Sequence, residues 1–143
     1  ISRACLQELA RHRHASLSVK STRYTLGKIK NEARAFTSRA GLPAVDKYLV
    51  KTGNEYVDYN STVQLEEVRQ GALNGIENDK LKFMLPESFK TSLIWTINAR
   101  SLRNFLELRL SPRALWEIRY LAQKIYARIP DTHHILFNDL TGQ

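Results

Sequence analysis

The chain mixes stretches with a helical apolar repeat and short stretches that alternate every second residue. Over ISRACLQELARHR, at 100° per residue, Ile1, Ala4, Cys5, Leu6, Leu9 and Ala10 gather on one broad side, which predicts a helix. No capping residue precedes Ile1, and the expectation is that N-terminal sequence is missing. STRYTLGKI, residues 21–29, predicts a short strand, and residues 30–60 mixed helix and loop, with turn signals at Gly41-Leu42-Pro43 and Gly53-Asn54. STVQLEEVRQGALNGI predicts a helix starting at Ser61, which has capping-box spacing to Gln64, and stopping at Gly75. After a break at Pro86, TSLIWTI sets Leu93, Trp95 and Ile97 against Ser92, Ile94 and Thr96, the pattern of a half-buried strand.

Residues 98–129 predict two helices. Asn98 caps the first, whose apolar arc is Ala99, Leu102, Phe105, Leu106, Leu108 and Leu110. The second has Ser111 as cap, Pro112 at its first position and a stripe of Ala114, Leu115, Ile118, Leu121, Ala122, Ile125 and Ile129, and it ends at Pro130. Arg109 falls inside the first arc. A guanidinium there must meet a carboxylate, snorkel to the edge or face a ligand, because its charge cannot leave water unpaired. Arg100 and Asn104, one turn apart, form a polar site on the opposite side.

With 143 residues and 43% hydrophobic content, one soluble domain over 1–143 is expected. Lys plus Arg outnumber Asp plus Glu by 22 to 14, and the net charge of +8 points to an anionic partner. The single cysteine, Cys5, excludes an intramolecular disulfide framework and agrees with a reducing compartment. No apolar run has the length of a bilayer span and residues 1–20 lack the order of a signal peptide, so a cytoplasmic protein is expected.

The cations concentrate in ARHRHASLSVKSTRYT, where Arg11, His12, Arg13, His14, Lys20 and Arg23 are threaded with Ser16, Ser18, Ser21, Thr22 and Thr25. Glu8 lies three residues before Arg11 and four before His12, within reach of both. A metal is not expected: His12, His14, His133 and His134 have no recognised ligand spacing. Cys5 sits on the apolar side of its helix, as a packed residue rather than a nucleophile. Six scattered glycines make no phosphate loop. What remains is arginine and hydroxyl chemistry suited to phosphate, and these residues alone leave nucleic acid and mononucleotide open.

RHRHASLSVKS, an Arg-His-Arg and, after seven intervening residues, Ser21, resembles the signature of the flavin-dependent thymidylate synthases, and STRY continues it. WTINARSLRNFLELRLSPRALWEIRYLA resembles their second block, and MLPESFKTSLIW leads into it. The resemblance covers well over half of the chain, least of all residues 26–80. It implies an α/β fold of the α+β type, a mixed or antiparallel sheet with packed helices, in a homotetramer whose active sites draw on several subunits. It further implies bound FAD reduced by NADPH, and transfer of the methylene group of methylenetetrahydrofolate to dUMP, giving dTMP and tetrahydrofolate.

By the same resemblance, Arg11, His12, Arg13, Asn98, Arg100 and Asn104 contact flavin, and Arg11 also reaches the nucleotide. Ser21, Thr22 and Arg23 hold the dUMP phosphate, Glu8 contacts dUMP and Arg109 activates the uracil ring. Lys82 stands where a nucleotide-contacting Arg is usual, Val19 where a Glu or Gln is frequent and Leu115 where a Gln is common. The segment expected to be missing is one that supplies flavin and folate contacts, including a strand. Two other readings compete. A basic nucleic-acid-binding module accounts for the charge, but Tyr24, Trp95 and Phe105 are not interleaved with the cations as a stacking platform requires. A non-catalytic dUMP or FAD sensor on the same fold is the third.

Overall fold

The computed structural model describes residues 1–142. They divide into two compact units: Ile1–Ala4 with Val19–Ser92, and Cys5–Ser18 with the chain from Leu93 on. Each is built from short helices, and the fold is α+β with a small antiparallel sheet, as expected.

In the first unit the chain begins helix α1 (Arg3–Ala10), whose first two N–H groups have no acceptor within the helix. They are satisfied by distant backbone instead: Arg3 N donates to Phe89 O at 3.0 Å and Ala4 N to Glu87 O at 3.1 Å. Helix α2 (Thr22–Ile29) replaces the strand expected over 21–29. Threonines and a tyrosine favour a strand locally, but Leu26 and Ile29, three apart, are both fully buried against α4 (Glu55–Leu73) and α5 (Asn78–Leu81). Burial of that one stripe outweighs the propensity of exposed positions such as Tyr24. Between them, α3 (Leu42–Val45) is a single turn with Pro43 early in it.

Helix α4 starts six residues ahead of the expected Ser61. Asn54 is its cap, with Oδ1 accepting from Val57 N at 3.1 Å, while Ser61 is buried within the helix. Its end agrees with expectation: Gly75 takes φ +79°, a conformation that favours glycine. Leu26, Ile29, Phe36, Val45, Leu65, Val68, Leu81 and Phe89 form the core of this unit. Into its edge runs a buried ion pair. Arg69 Nη2 donates to Glu66 Oε1 at 2.7 Å, and Glu66 Oε2 accepts from Arg69 Nε and Phe36 N, each at 2.9 Å.

The second unit carries the sheet, β1 (Ala15–Val19) paired with β2 (Leu93–Ile97). β2 alternates as expected, with Leu93, Trp95 and Ile97 half-buried and Ile94 and Thr96 exposed. Helix α6 (Ala99–Arg109) follows at once, capped by Asn98, whose Oδ1 accepts from Ser101 N at 2.9 Å. Phe105 and Leu106 are fully buried, but Leu108, expected on the same arc, is 54% exposed. Helix α7 (Trp116–Tyr126) packs on α6 and begins later than expected. Ser111 instead closes the turn before it, its Oγ accepting from Arg113 N at 3.3 Å, and Leu115 stands at the cap position without a side-chain bond.

Candidate functional site

α1 brings Glu8 toward the C-terminal turn of α6, and the chain leaving α1 then carries Arg11, His12, Arg13 and His14 past the same helix. His14 adopts φ 60°, the left-handed region that a residue with a Cβ enters at a cost. The result is a cleft of about 780 Å³, lined among others by Arg11, His12, Arg13, Arg100, Asn104 and Arg109. Arg113 and Ser111, from the α6–α7 turn, complete its wall. Sequence reasoning did not single out Arg113; its only signal was one more arginine close to Arg109.

Arg109 is the most constrained of these side chains, 16% exposed. Its Nη1 donates to Glu8 Oε2 at 2.8 Å, its Nη2 to the Glu8 carbonyl at 3.3 Å, and its Nε to His12 Nε2 at 2.8 Å. Of the three possibilities open for an arginine on an apolar arc, the carboxylate is therefore met. Glu8 also lies 3.6 Å from Arg11 Nη1, as its spacing suggests, but it reaches His12 only through Arg109.

His12 is buried and packs edge-on to Phe105, ring centroids 5.0 Å apart at 81°. Phe105 in turn meets Trp95 of β2 edge-on at 5.0 Å. Burial, and then the Arg109 charge, hold the His12 imidazole below its usual 6.5, with Glu8 opposing and Arg11 adding to the shift. Arg11 and Arg13 are exposed into the cleft, as are Arg100 and Asn104. Asn98 spends its amide oxygen on the α6 cap and does not line the cleft.

The other candidate residues lie in the first unit. Ser21 precedes α2 with extended geometry and makes no side-chain cap bond, so its hydroxyl and the first turn of α2 are not tied together. Arg23 is exposed, its Nε 3.7 Å from Asp79 Oδ1, and its carbonyl accepts from Asn78 Nδ2 at 3.2 Å. Lys82 is exposed in a 3₁₀ turn (Lys82–Met84) with Nζ 5.5 Å from the Phe83 ring. Val19 of this unit is also exposed, 41%, as is Leu115 of the second unit, 38%.

Cys5 is fully buried, and burial first, then Glu117, push its thiol up to about 12. It is a packed thiol, not a nucleophile at neutral pH. Among the described residues no group of three or more His, Cys, Asp or Glu is placed to hold a metal ion. None of the helices among them is long and apolar enough to cross a membrane.

A cleft walled by arginines, one of them partly buried and braced, has the chemistry to receive phosphate oxygens. The family model described as "Thymidylate synthase complementing protein" matches residues 1–133. The flavin-dependent thymidylate synthase of Wolinella succinogenes is 55% identical over 137 residues, 96% of this chain and 66% of that relative. The enzyme of the same name from Helicobacter pylori strain 26695 is 46% identical over 142 residues, 97% of this chain and 68% of the relative. A crystal structure of Helicobacter pylori thymidylate synthase X with FAD and dUMP superposes with a TM-score of 0.93 at 44% identity, covering 100% of this chain and 70% of that one. The chain belongs to the flavin-dependent thymidylate synthase family, and it spans about two thirds of the length of the relatives it matches.

Proposed function

We propose that the protein is a flavin-dependent thymidylate synthase that converts dUMP to dTMP. The observation that carries the reading is the cleft itself: residues of two sequence blocks, such as His12 and Arg109, 97 positions apart, meet in one cationic site. Its size is within the range of cofactor pockets. The arginines fit the diphosphate of a dinucleotide such as FAD, because planar forks bond phosphate oxygens in pairs. Arg11, His12, Arg13, Arg100 and Asn104 are the residues assigned to hold it, with Asn98 placing the helix that carries two of them. Bound FAD, reduced by NADPH, supplies the two electrons that take a methylene group to a methyl group. The carbon comes from methylenetetrahydrofolate, which leaves as tetrahydrofolate.

The chain's own residues bind and polarise the nucleotide. Ser21, Thr22 and Arg23, at the start of α2, receive the dUMP phosphate, where the hydroxyls, the guanidinium and the helix N-terminus all favour an anion. Lys82 keeps a positive charge for the nucleotide but not a fork. Glu8 and Arg109 face the uracil, and the half-buried guanidinium stabilises negative charge as the ring is activated. The reading treats 1–143 as one functional domain, in keeping with a family match unbroken from 1 to 133. It also includes assembly into a homotetramer with shared sites, for which exposed Tyr56, Tyr59 and Phe83 offer apolar surface. A cytoplasmic location belongs to the same proposal.

The complete protein, purified, is expected to be yellow with a flavin spectrum that dUMP perturbs, and to form dTMP when methylenetetrahydrofolate and NADPH are added. Colourless protein that takes up no added FAD overturns the reading. Salt-dependent binding of long polyanions in place of dUMP would favour the nucleic-acid module instead.

A further inference from the structure

We propose that His12 is a positioning residue for Arg109: as a neutral imidazole protonated on Nδ1, it accepts the Arg109 Nε–H at Nε2 and, with Glu8, fixes the plane in which the guanidinium meets the cleft. The catalytic consequence rests on the function proposed above; the geometry does not.

The argument begins with donors and acceptors. A guanidinium has five N–H groups and no acceptor, so a ring nitrogen 2.8 Å from Arg109 Nε must present a lone pair. His12 is therefore uncharged and carries its proton on Nδ1. Three of the five N–H groups are committed, to His12 Nε2, Glu8 Oε2 and the Glu8 carbonyl, leaving one on each terminal nitrogen for a ligand. The Glu8 bonds restrain the terminal nitrogens and the His12 bond restrains Nε, so the group is held at both ends of its plane. The histidine is itself restrained by the Phe105 edge at 5.0 Å. Its Nδ1–H stays available to the cofactor contact assigned to this residue.

Protonation defeats the arrangement. The imidazolium would offer N–H to N–H and set a second cation against Arg109, so Arg109 would lose its Nε anchor. The charged groups facing His12 are Arg109 from α6, Glu8 from α1 and Arg11 just beyond α1; burial and the two arginines favour the neutral ring and outweigh Glu8. Because the folded value is depressed below 6.5, His12 contributes fully to stability above that pH, and the contribution is lost as pH falls through the folded value. Arg109 thus stays braced through neutral pH and is released in acid.

Nitrogen-15 NMR of histidine-labelled full-length protein tests the geometry directly, with His12 assigned by loss of its signals in His12→Gln. At neutral pH the expected form is protonated Nδ1 with an accepting Nε2, shifting toward the commoner Nε2–H form in Arg109→Lys. An Nε2–H ring in the wild type, or one unmoved by Arg109→Lys, overturns the proposal. For the catalytic consequence, His12→Phe is expected to lower kcat for dTMP formation by about 10- to 100-fold. His12→Gln places an amide oxygen where Nε2 stood, and it is expected to recover most of that loss and to lack the wild-type acid limb below 6.5. A glutamine variant as slow as the phenylalanine variant, or one that keeps the acid limb, also overturns it. If the wild type forms no dTMP, the proposed function fails and the NMR result alone decides the positioning claim.

Discussion

Arg109 Nη1 donates to Glu8 Oε2 at 2.8 Å, joining side chains 101 residues apart through a partly buried bond. The pair decides how the cleft is built, since each partner is costly to bury without the other. Glu8→Ala is expected to destabilise the protein by about 1.5–3 kcal/mol, the range for a hydrogen bond to a charged group. Arg109→Ala should cost a similar amount. The double variant should fall short of the sum of the two, because the second substitution removes a group already left unpaired. Urea denaturation of the four proteins measures this; strict additivity would mean that the residues do not interact.

Arg109→Lys keeps the charge and loses the planar fork that reaches His12, the Glu8 carboxylate and the Glu8 backbone carbonyl at once. It should fold, slow dTMP formation by about 10²–10³, and leave reduction of bound FAD by NADPH nearly unchanged. Stopped-flow comparison of the two half-reactions in this one variant is the measurement. Equal slowing of both would make the arginine purely structural.

The Arg23 guanidinium makes an exposed contact to Asp79 at 3.7 Å, which an incoming phosphate can replace at little cost. Arg23→Ala should therefore weaken dUMP binding by about 10- to 100-fold while barely changing that of deoxyuridine, which lacks the phosphate. Calorimetric titration with both ligands separates a phosphate contact from a general loss of structure.

Glu66 sits in the first unit with its carboxylate buried. Burial alone would raise its pKa, but bonds from Arg69, Gln70 and Phe36 N outweigh it and hold the group below 4.5. A depressed carboxylate stabilises the fold above its unfolded value, and that stabilisation is lost as pH falls through the folded value. The Glu66 contribution to stability should accordingly be lost as pH falls below 4.5. Glu66→Ala should cost about 3–5 kcal/mol by leaving Arg69 buried and unpaired. Thermal melts from neutral pH downward check both; a variant as stable as wild type would mean that Arg69 finds other partners.

Much of this was written locally. The alternation of Leu93, Trp95 and Ile97, the Asn98 cap, the stop at Gly75 and the burial of Cys5 follow from side-chain period and cap chemistry, which act within a few residues. The grouping of Arg11, His12 and Arg13 with Arg100, Asn104 and Arg109 was legible through the two motifs, though not the geometry that joins them. Tertiary structure decided the rest. Residues 22–29 became helix because Leu26 and Ile29 found one face to bury against α4 and α5, a gain that strand-favouring Thr22, Tyr24 and Thr25 could not match. Whether Arg109 would snorkel, pair or face a ligand also lay beyond its own helix. A half-buried guanidinium takes its meaning from its partners, and Glu8 and His12 come from another element, brought within 2.8 Å only by the fold.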